Sequence, residues 1–227
     1  MDEFTEGSNP IDKVDLPFAD RRAAGRALAG ALAAWRGRED VLILALSRGG
    51  AAVAREVAAA LGAALDLFPV GIITAPGRGN LSLGAVTVEG DPVWNEALRR
   101  RLGGSEAAVQ AARRAAAGLA ACRGGRPPPS VREHGVILVD DGLVSGACIC
   151  AAALAVRRQQ PAWIAAAVPV APPEAAARLC NEVDELICLA EPEPFHGISD
   201  WYLDYSPVSD EEVTQWIVTS HKPQATS

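Results

Sequence analysis

Residues 136–148, Val-Ile-Leu-Val-Asp-Asp-Gly-Leu-Val-Ser-Gly-Ala-Cys, constrain the fold of this chain more than any other stretch. The four apolar residues at 136–139 have no polar side to turn toward water, the pattern of a strand buried on both faces. Strands of that kind belong to parallel sheets covered by helices. Two carboxylates, Asp140 and Asp141, follow at the strand exit. Gly142-Leu143-Val144-Ser145-Gly146-Ala147-Cys148 then makes a small-residue turn that opens a helix. Such a turn offers backbone N–H groups and the positive end of a helix dipole, both attractive to phosphate. The carboxylates stand where hydroxyl groups or a hydrated metal ion would lie. An acidic pair alone would mark only a helix N-terminus favoured by its dipole. With the turn and the Ser145 hydroxyl added, the stretch reads as a site for a phosphorylated sugar.

The same alternation of strand and helix runs through the chain. Residues 41–46 read as a second buried strand, followed by the turn Ser47-Arg48-Gly49-Gly50 and a helix that Gly62 stops. Asp20 is the N-cap of an earlier helix reaching about Trp35. Residues 65–73 read as one strand, and 74–83 as a loop holding Thr74, Pro76, Gly77, Arg78 and Asn80. Residues 84–95 read as short extended pieces, and 96–122 as helix broken near Gly103-Gly104. The helix after the opening motif runs to about Gln159. Strands at 163–170 and 185–189 flank a helix at 172–181, and a last helix covers 210–218. The expected fold class is α/β, a mainly parallel sheet flanked by helices, with ligands at the carboxyl ends of the strands. Both informative turns lie at such ends. We divide the chain into an arm at 1–17, one domain at 18–218 and a disordered tail at 219–227.

Charge and cysteine usage narrow the function classes. With 28 acidic and 21 basic residues the net charge is −7, which opposes a general nucleic-acid or membrane-surface role. No apolar run is suited to crossing a bilayer, and the N-terminus lacks the apolar region of a signal peptide. The five cysteines include Cys148 and Cys150 in a C-x-C spacing, not the C-x-x-C of a metal site. They suit buried thiols in a reducing cytoplasm. The expected partners are small molecules, with a homodimer left open.

The motif at 136–148 resembles the phosphoribosyl pyrophosphate (PRPP) motif of the type I phosphoribosyltransferases: four apolar residues, two acidic residues and a Thr/Gly-rich turn. Segments at 44–67, 123–128, 167–179 and 191–213 also resemble a bacterial subgroup of that family with no assigned acceptor. The resemblance implies the type I phosphoribosyltransferase fold, with a small C-terminal hood at about 190–209. It implies a Mg²⁺-dependent enzyme that binds PRPP, releases pyrophosphate and joins the 5-phosphoribosyl group to an acceptor.

By the resemblance, Asp140 and Asp141 bind the ribose hydroxyls, and Mg²⁺ lies near them through PRPP and water, with no direct protein ligand. Gly142, Leu143, Val144, Ser145, Gly146, Ala147 and Cys148 belong to the PRPP site, its 5′-phosphate held by 143–148. Ser47, Arg48, Gly49 and Gly50 form the pyrophosphate loop, with Arg48 grouped with the two aspartates as catalytic. Residues 74–83 form a flexible loop, and Trp201 and Tyr202 lie on the acceptor side. The chain departs from the subgroup at Gly71-Ile72, where a basic pair is usual, and at Asn80-Leu81, where Glu-Leu is expected. Val144 replaces the acidic residue that 6-oxopurine enzymes place near the base, which argues against purine salvage. Two alternatives therefore stand beside the transferase: a non-catalytic regulator that keeps the pocket, and a diverged enzyme acting on a related phosphosugar.

Overall fold

The computed structural model describes residues 14–177, 179, 181 and 183–220, with the side chains of 78–80 outside the described set. In chain order the strands are β1 (Val41–Ala45), β2 (Ala64–Leu67), β3 (Val70–Ala75), β4 (Arg78–Thr87), β5 (Val93–Trp94), β6 (Gly135–Val139), β7 (Trp163–Val170) and β8 (Glu185–Ala190). The helices are α1 (Arg21–Ala31), α2 (Arg48–Leu61), α3 (Glu96–Leu102), α4 (Glu106–Ala120), α5 (Ala147–Arg157), α6 (Pro173–Ala176) and α7 (Asp210–Thr219). Five strands form a parallel sheet in the order β2-β1-β6-β7-β8. The two central apolar runs, β1 and β6, are buried at every residue.

Alternation along these strands sorts the core into two layers, one on each face of the sheet. Ile43, Ala45, Ile137 and Val139 pack with Leu28, Val53, Val57 and Ile217, on the side of α1, α2 and α7. Leu42, Leu44, Val136 and Leu138 pack with Ile149, Ala152 and Val156 of α5 on the other. This two-sided covering is why both strands lack a polar face. Gly62 ends α2 in the left-handed conformation at φ +71°, which glycine adopts without Cβ strain.

Two expectations are corrected by the second sheet. Residues 65–73 are not one strand: the chain leaves the parallel sheet at Phe68-Pro69, and β3 begins an antiparallel sheet of order β3-β4-β5. Residues 74–83 are not a loop but most of a β-hairpin, turning at Pro76-Gly77, where Gly77 has φ +69°. Ile73 and Ala75 alternate onto one face and pack with Leu83 and Val86 of β4 and Val109 and Ala112 of α4. The helical region at 96–122 breaks as expected, into α3 capped by Asn95 and α4 capped by Ser105. The helix expected over 172–181 is shorter, α6 at Pro173–Ala176. Residues 178, 180 and 182 lie outside the described set, as do 1–13 of the expected arm and 221–227 of the expected tail.

The irregular segment after β8 includes one 3-10 turn, Ile198–Trp201. It is tied to the N-terminal segment: Phe18 N–H donates to Trp201 O at 2.9 Å, and Leu203 N–H to Phe18 O at 2.8 Å. Among the described residues no helix is long and apolar enough to cross a membrane.

Candidate functional site

β1 and β6 are neighbours in register, with Ala45 opposite Val139, so their carboxyl ends deliver two turns to one place. Ser47 joins them. Its hydroxyl accepts from Gly50 N–H at 2.8 Å as the N-cap of α2 and donates to Asp140 Oδ1 at 2.5 Å. Asp140 Oδ1 also accepts from Asp141 N–H at 3.0 Å. Gly49 and Gly50 are required by close approach rather than by backbone angle. A Cβ on Gly50 would lie 2.9 Å from Val139 O and 3.0 Å from Asp140 Cα. One on Gly49 would lie 2.6 Å from Asp141 Cγ and 2.9 Å from Arg21 Nε. The positive end of α2 therefore rests directly on the carboxylate pair.

Asp141 is held from three parts of the chain. Arg21 Nε donates to its Oδ2 at 2.7 Å, and the Tyr205 hydroxyl donates to the same oxygen at 3.0 Å. Tyr202 donates to its main-chain carbonyl at 2.6 Å. The Arg21 guanidinium also lies over the Tyr205 ring, 3.8 Å from its centre, and donates from Nη1 to Ser206 O at 2.9 Å. Every side-chain hydrogen bond to the pair thus falls on Oδ1 of Asp140 and Oδ2 of Asp141. The two carboxyl groups interact with each other, and among the described residues no donor from the rest of the chain reaches the second oxygen of either carboxylate. Neither is sealed in, because Trp201 Nε1 is the one fully buried side-chain polar atom found without a partner there. Burial, then the neighbouring charge of Asp141, pushes the Asp140 carboxyl up to about 7, against the lowering effect of Ser47.

The turn after β6 leads to an open helix end. Leu143 is buried and donates its N–H to Val170 O at 2.9 Å, which fixes the base of the turn. Val144 and Ser145 are exposed. Gly146 is the N-cap of α5 at φ +77° and supplies no side-chain cap. By contrast α1, α2, α3, α4 and α7 are capped by Asp20, Ser47, Asn95, Ser105 and Ser209. A cavity of about 390 Å³ opens here, bounded by the turn, by Trp94 of β5 and by Glu174 of α6. Ala147 and Ala151 of α5 pack on Ala85 of β4, so the hairpin sheet supports the turn from outside. Cys148 sits in the first turn of α5, and burial followed by the charges of Asp140 and Asp141 pushes its thiol up to about 12. Both effects disfavour the thiolate that nucleophilic chemistry needs.

The other expected site residues lie around this centre. Arg48 does not reach the carboxylates; its Nε pairs with Asp210 Oδ1 of α7 at 2.6 Å on the exposed side of α2. Tyr202 is buried and committed to Asp141, with its ring tilted between Phe18 and Tyr205, so it offers no open face to a ligand. Trp201 stacks on Phe195 with ring centres 6.2 Å apart. Gly142 lies under Ile198, whose side chain would meet a Cβ at 2.8 Å. Thr74 lies in β3 opposite Ser82, Pro76 and Gly77 form the hairpin turn, and the side chains of Arg78 and Asn80 lie outside the described set. The missing basic pair also has a structural side. Gly71 packs face-on against α4, where a Cβ would run into the Ala112 carbonyl group, while Ile72 points the other way and is 54% exposed.

Arg21 and Tyr205 are site residues that motif spacing did not reveal. Arg21 had one weak sequence signal: it is a cation in the first turn of a helix, where the dipole disfavours it and an opposing anion would offset that cost. Tyr205 had none.

A family model described as the phosphoribosyl transferase domain matches residues 20–205. Two proteins from strains of Mycobacterium tuberculosis, named as phosphoribosyl transferases, are 33% identical over 210 residues, covering 90% of this chain and 47% of theirs. The chain thus spans about half the length of the curated relatives it matches. The crystal structure of TT1426 from Thermus thermophilus matches 91% of this chain and 100% of that one, at 35% identity and a TM-score of 0.70. The parallel sheet, the paired carboxylates at its centre and these relatives together place the chain in the phosphoribosyl transferase domain family.

Proposed function

We propose that this chain binds PRPP with Mg²⁺ and transfers its 5-phosphoribosyl group to an unidentified acceptor, releasing pyrophosphate. The observation that carries the reading is the meeting of an uncapped helix N-terminus with two carboxylates that each keep one oxygen clear of donors from the rest of the chain. The N–H groups at the start of α5 hold the 5′-phosphate, assisted by the helix dipole and the Ser145 hydroxyl. Asp140 and Asp141 accept hydrogen bonds from the ribose hydroxyls and orient the ring. The bond from C1 to the pyrophosphate oxygen breaks, and a bond from C1 to the acceptor forms. The turn at 47–50 borders the leaving group, while the dipole of α2 is engaged by Asp140 and Asp141. Arg48 adds charge there by exchanging Asp210 for phosphate. The segment at 191–209 covers the acceptor side, with Trp201 on Phe195 as its aromatic surface.

The carboxylate pair suits Mg²⁺. Among the described residues no third His, Cys, Asp or Glu joins it to form a metal cage. Two carboxylates are what a Mg²⁺ that keeps its waters and rides on substrate phosphates requires. When bound, the ion neutralises charge on the departing pyrophosphate.

Gly71 and Ile72 favour a second reading, a protein that binds the phosphosugar without turning it over. Where a basic pair would meet pyrophosphate there is a glycine closed off by α4 and an exposed isoleucine. One experiment separates the readings: calorimetric titration with PRPP and Mg²⁺, followed by a pyrophosphate-release assay over a broad acceptor panel. Binding with release supports the transferase; binding without release leaves the sensor. An Asp140→Asn, Asp141→Asn double variant that binds PRPP as well as the parent would remove the site assignment itself.

A further inference from the structure

We infer that Arg21 and Tyr205 are positioning residues that make Asp141 a discriminating acceptor for one sugar hydroxyl, so that the site distinguishes ribose from 2-deoxyribose phosphates. The inference rests on the phosphosugar reading of the site and deepens it. A carboxylate turns about its last side-chain bond and can present either oxygen. Here that freedom is removed. Oδ2 of Asp141 is held at 2.7 Å by Arg21 Nε and at 3.0 Å by the Tyr205 hydroxyl, so Oδ1 is the oxygen left to a ligand. The main chain is fixed as well, by the Tyr202 hydroxyl on the Asp141 carbonyl at 2.6 Å and by the close seat of Gly49 against the carboxylate.

Arg21 has little freedom of its own. Its side chain is 11% exposed and its guanidinium is divided among Asp141, the Ser206 carbonyl and the Tyr205 ring. Its place in the first turn of α1 runs against the helix dipole, a cost that the ion pair with Asp141 offsets. Asp140 is fixed by different means, through Ser47 and the Asp141 N–H, and keeps its own second oxygen. Two acceptor oxygens with separate anchors match two neighbouring hydroxyls. Removal of one hydroxyl from the sugar takes the ligand partner from one of them, and a hydrogen bond to a charged acceptor is lost.

The test is calorimetric titration with ribose 5-phosphate and with 2-deoxyribose 5-phosphate. The parent is expected to prefer ribose 5-phosphate by about tenfold or more. In Arg21→Gln the preference should collapse to about threefold or less, affinity for ribose 5-phosphate falling by more than affinity for the 2-deoxy sugar. Arg21→Lys should recover part of it, because it restores charge without the planar geometry. A structural role alone would lower both affinities together and keep their ratio; that result overturns the inference. If thermal denaturation shows Arg21→Gln to be unfolded, Tyr205→Phe decides. It keeps the ring over Arg21 and removes only the hydroxyl, and an unchanged ratio there overturns the inference. A parent that binds both sugars equally contradicts the inference and leaves the phosphosugar site standing. A parent that binds neither removes the site and the inference with it.

Discussion

The turn after β1 and the turn after β6 sit side by side at the centre of one sheet, and each opens a helix. They treat the helix N-terminus in opposite ways. In the first, Ser47 caps Gly50 and the helix end is pressed onto Asp140 and Asp141, so the protein supplies the anions itself. In the second, Gly146 supplies no cap, Val144 and Ser145 face outward, and a cavity lies against the turn. Similar sequence punctuation therefore produces a closed anchor in one place and an open, uncapped helix end in the other. The difference lies in what stands opposite: carboxylates on the neighbouring strand for α2, and open space for α5.

Substitutions at the two turns should separate these roles. The largest effect is expected for Gly50→Val, because the added atoms meet the Val139 carbonyl and the Asp140 backbone, which cannot swing aside. Overpacking there should cost about 3 kcal/mol and broaden or abolish the unfolding transition. A stability within ~0.5 kcal/mol of the parent would mean that the first turn is not closed as described.

Asp140→Asn should raise stability at neutral pH. The Asp140 carboxyl titrates higher in the folded protein than in the unfolded chain, so the folded state holds the proton longer. Its contribution to stability is therefore undiminished below pH ~4, falls as pH rises toward about 7, and stays low above that. Denaturant unfolding at several pH values should show the variant more stable by on the order of 2 kcal/mol at pH 8, with the gap closing near pH 4. A gap that does not vary with pH would deny the burial argument.

Gly146→Ala is the milder counterpart in the second turn. Its Cβ would meet only Leu179 Cδ1, at 3.3 Å, but φ of +77° is unfavourable for alanine and should cost about 1 kcal/mol. The fold should survive while affinity for ribose 5-phosphate drops about tenfold. Unchanged affinity would remove α5 from the phosphate site.

Much of this organisation was legible in the sequence. β1, β6 and β7 were visible because central parallel strands show apolar runs, β8 from the apolar residues 186–190 although it is an edge strand, and the two turns because glycine and acidic residues punctuate strand exits. The split at Phe68-Pro69 was hidden, since apolar residues continue across it and only the partner sheet changes. The hairpin around Pro76-Gly77 was hidden by the glycines that usually mark loops. The inner half of the site was hidden for a different reason. The contact from Arg21 to Asp141 spans 120 positions and leaves no local pattern. Arg48 shows the converse: its neighbours pointed to an anion, and the anion it meets is Asp210 of α7.

The most direct test is titration of isotope-labelled protein with ribose 5-phosphate while the backbone amide resonances are followed. The account predicts saturable shifts that are largest at Gly146, Ala147 and Cys148 and small at Gly50, whose N–H is already bonded to Ser47. Shifts concentrated in the turn at 47–50, or no saturable shift at 146–148, would contradict it.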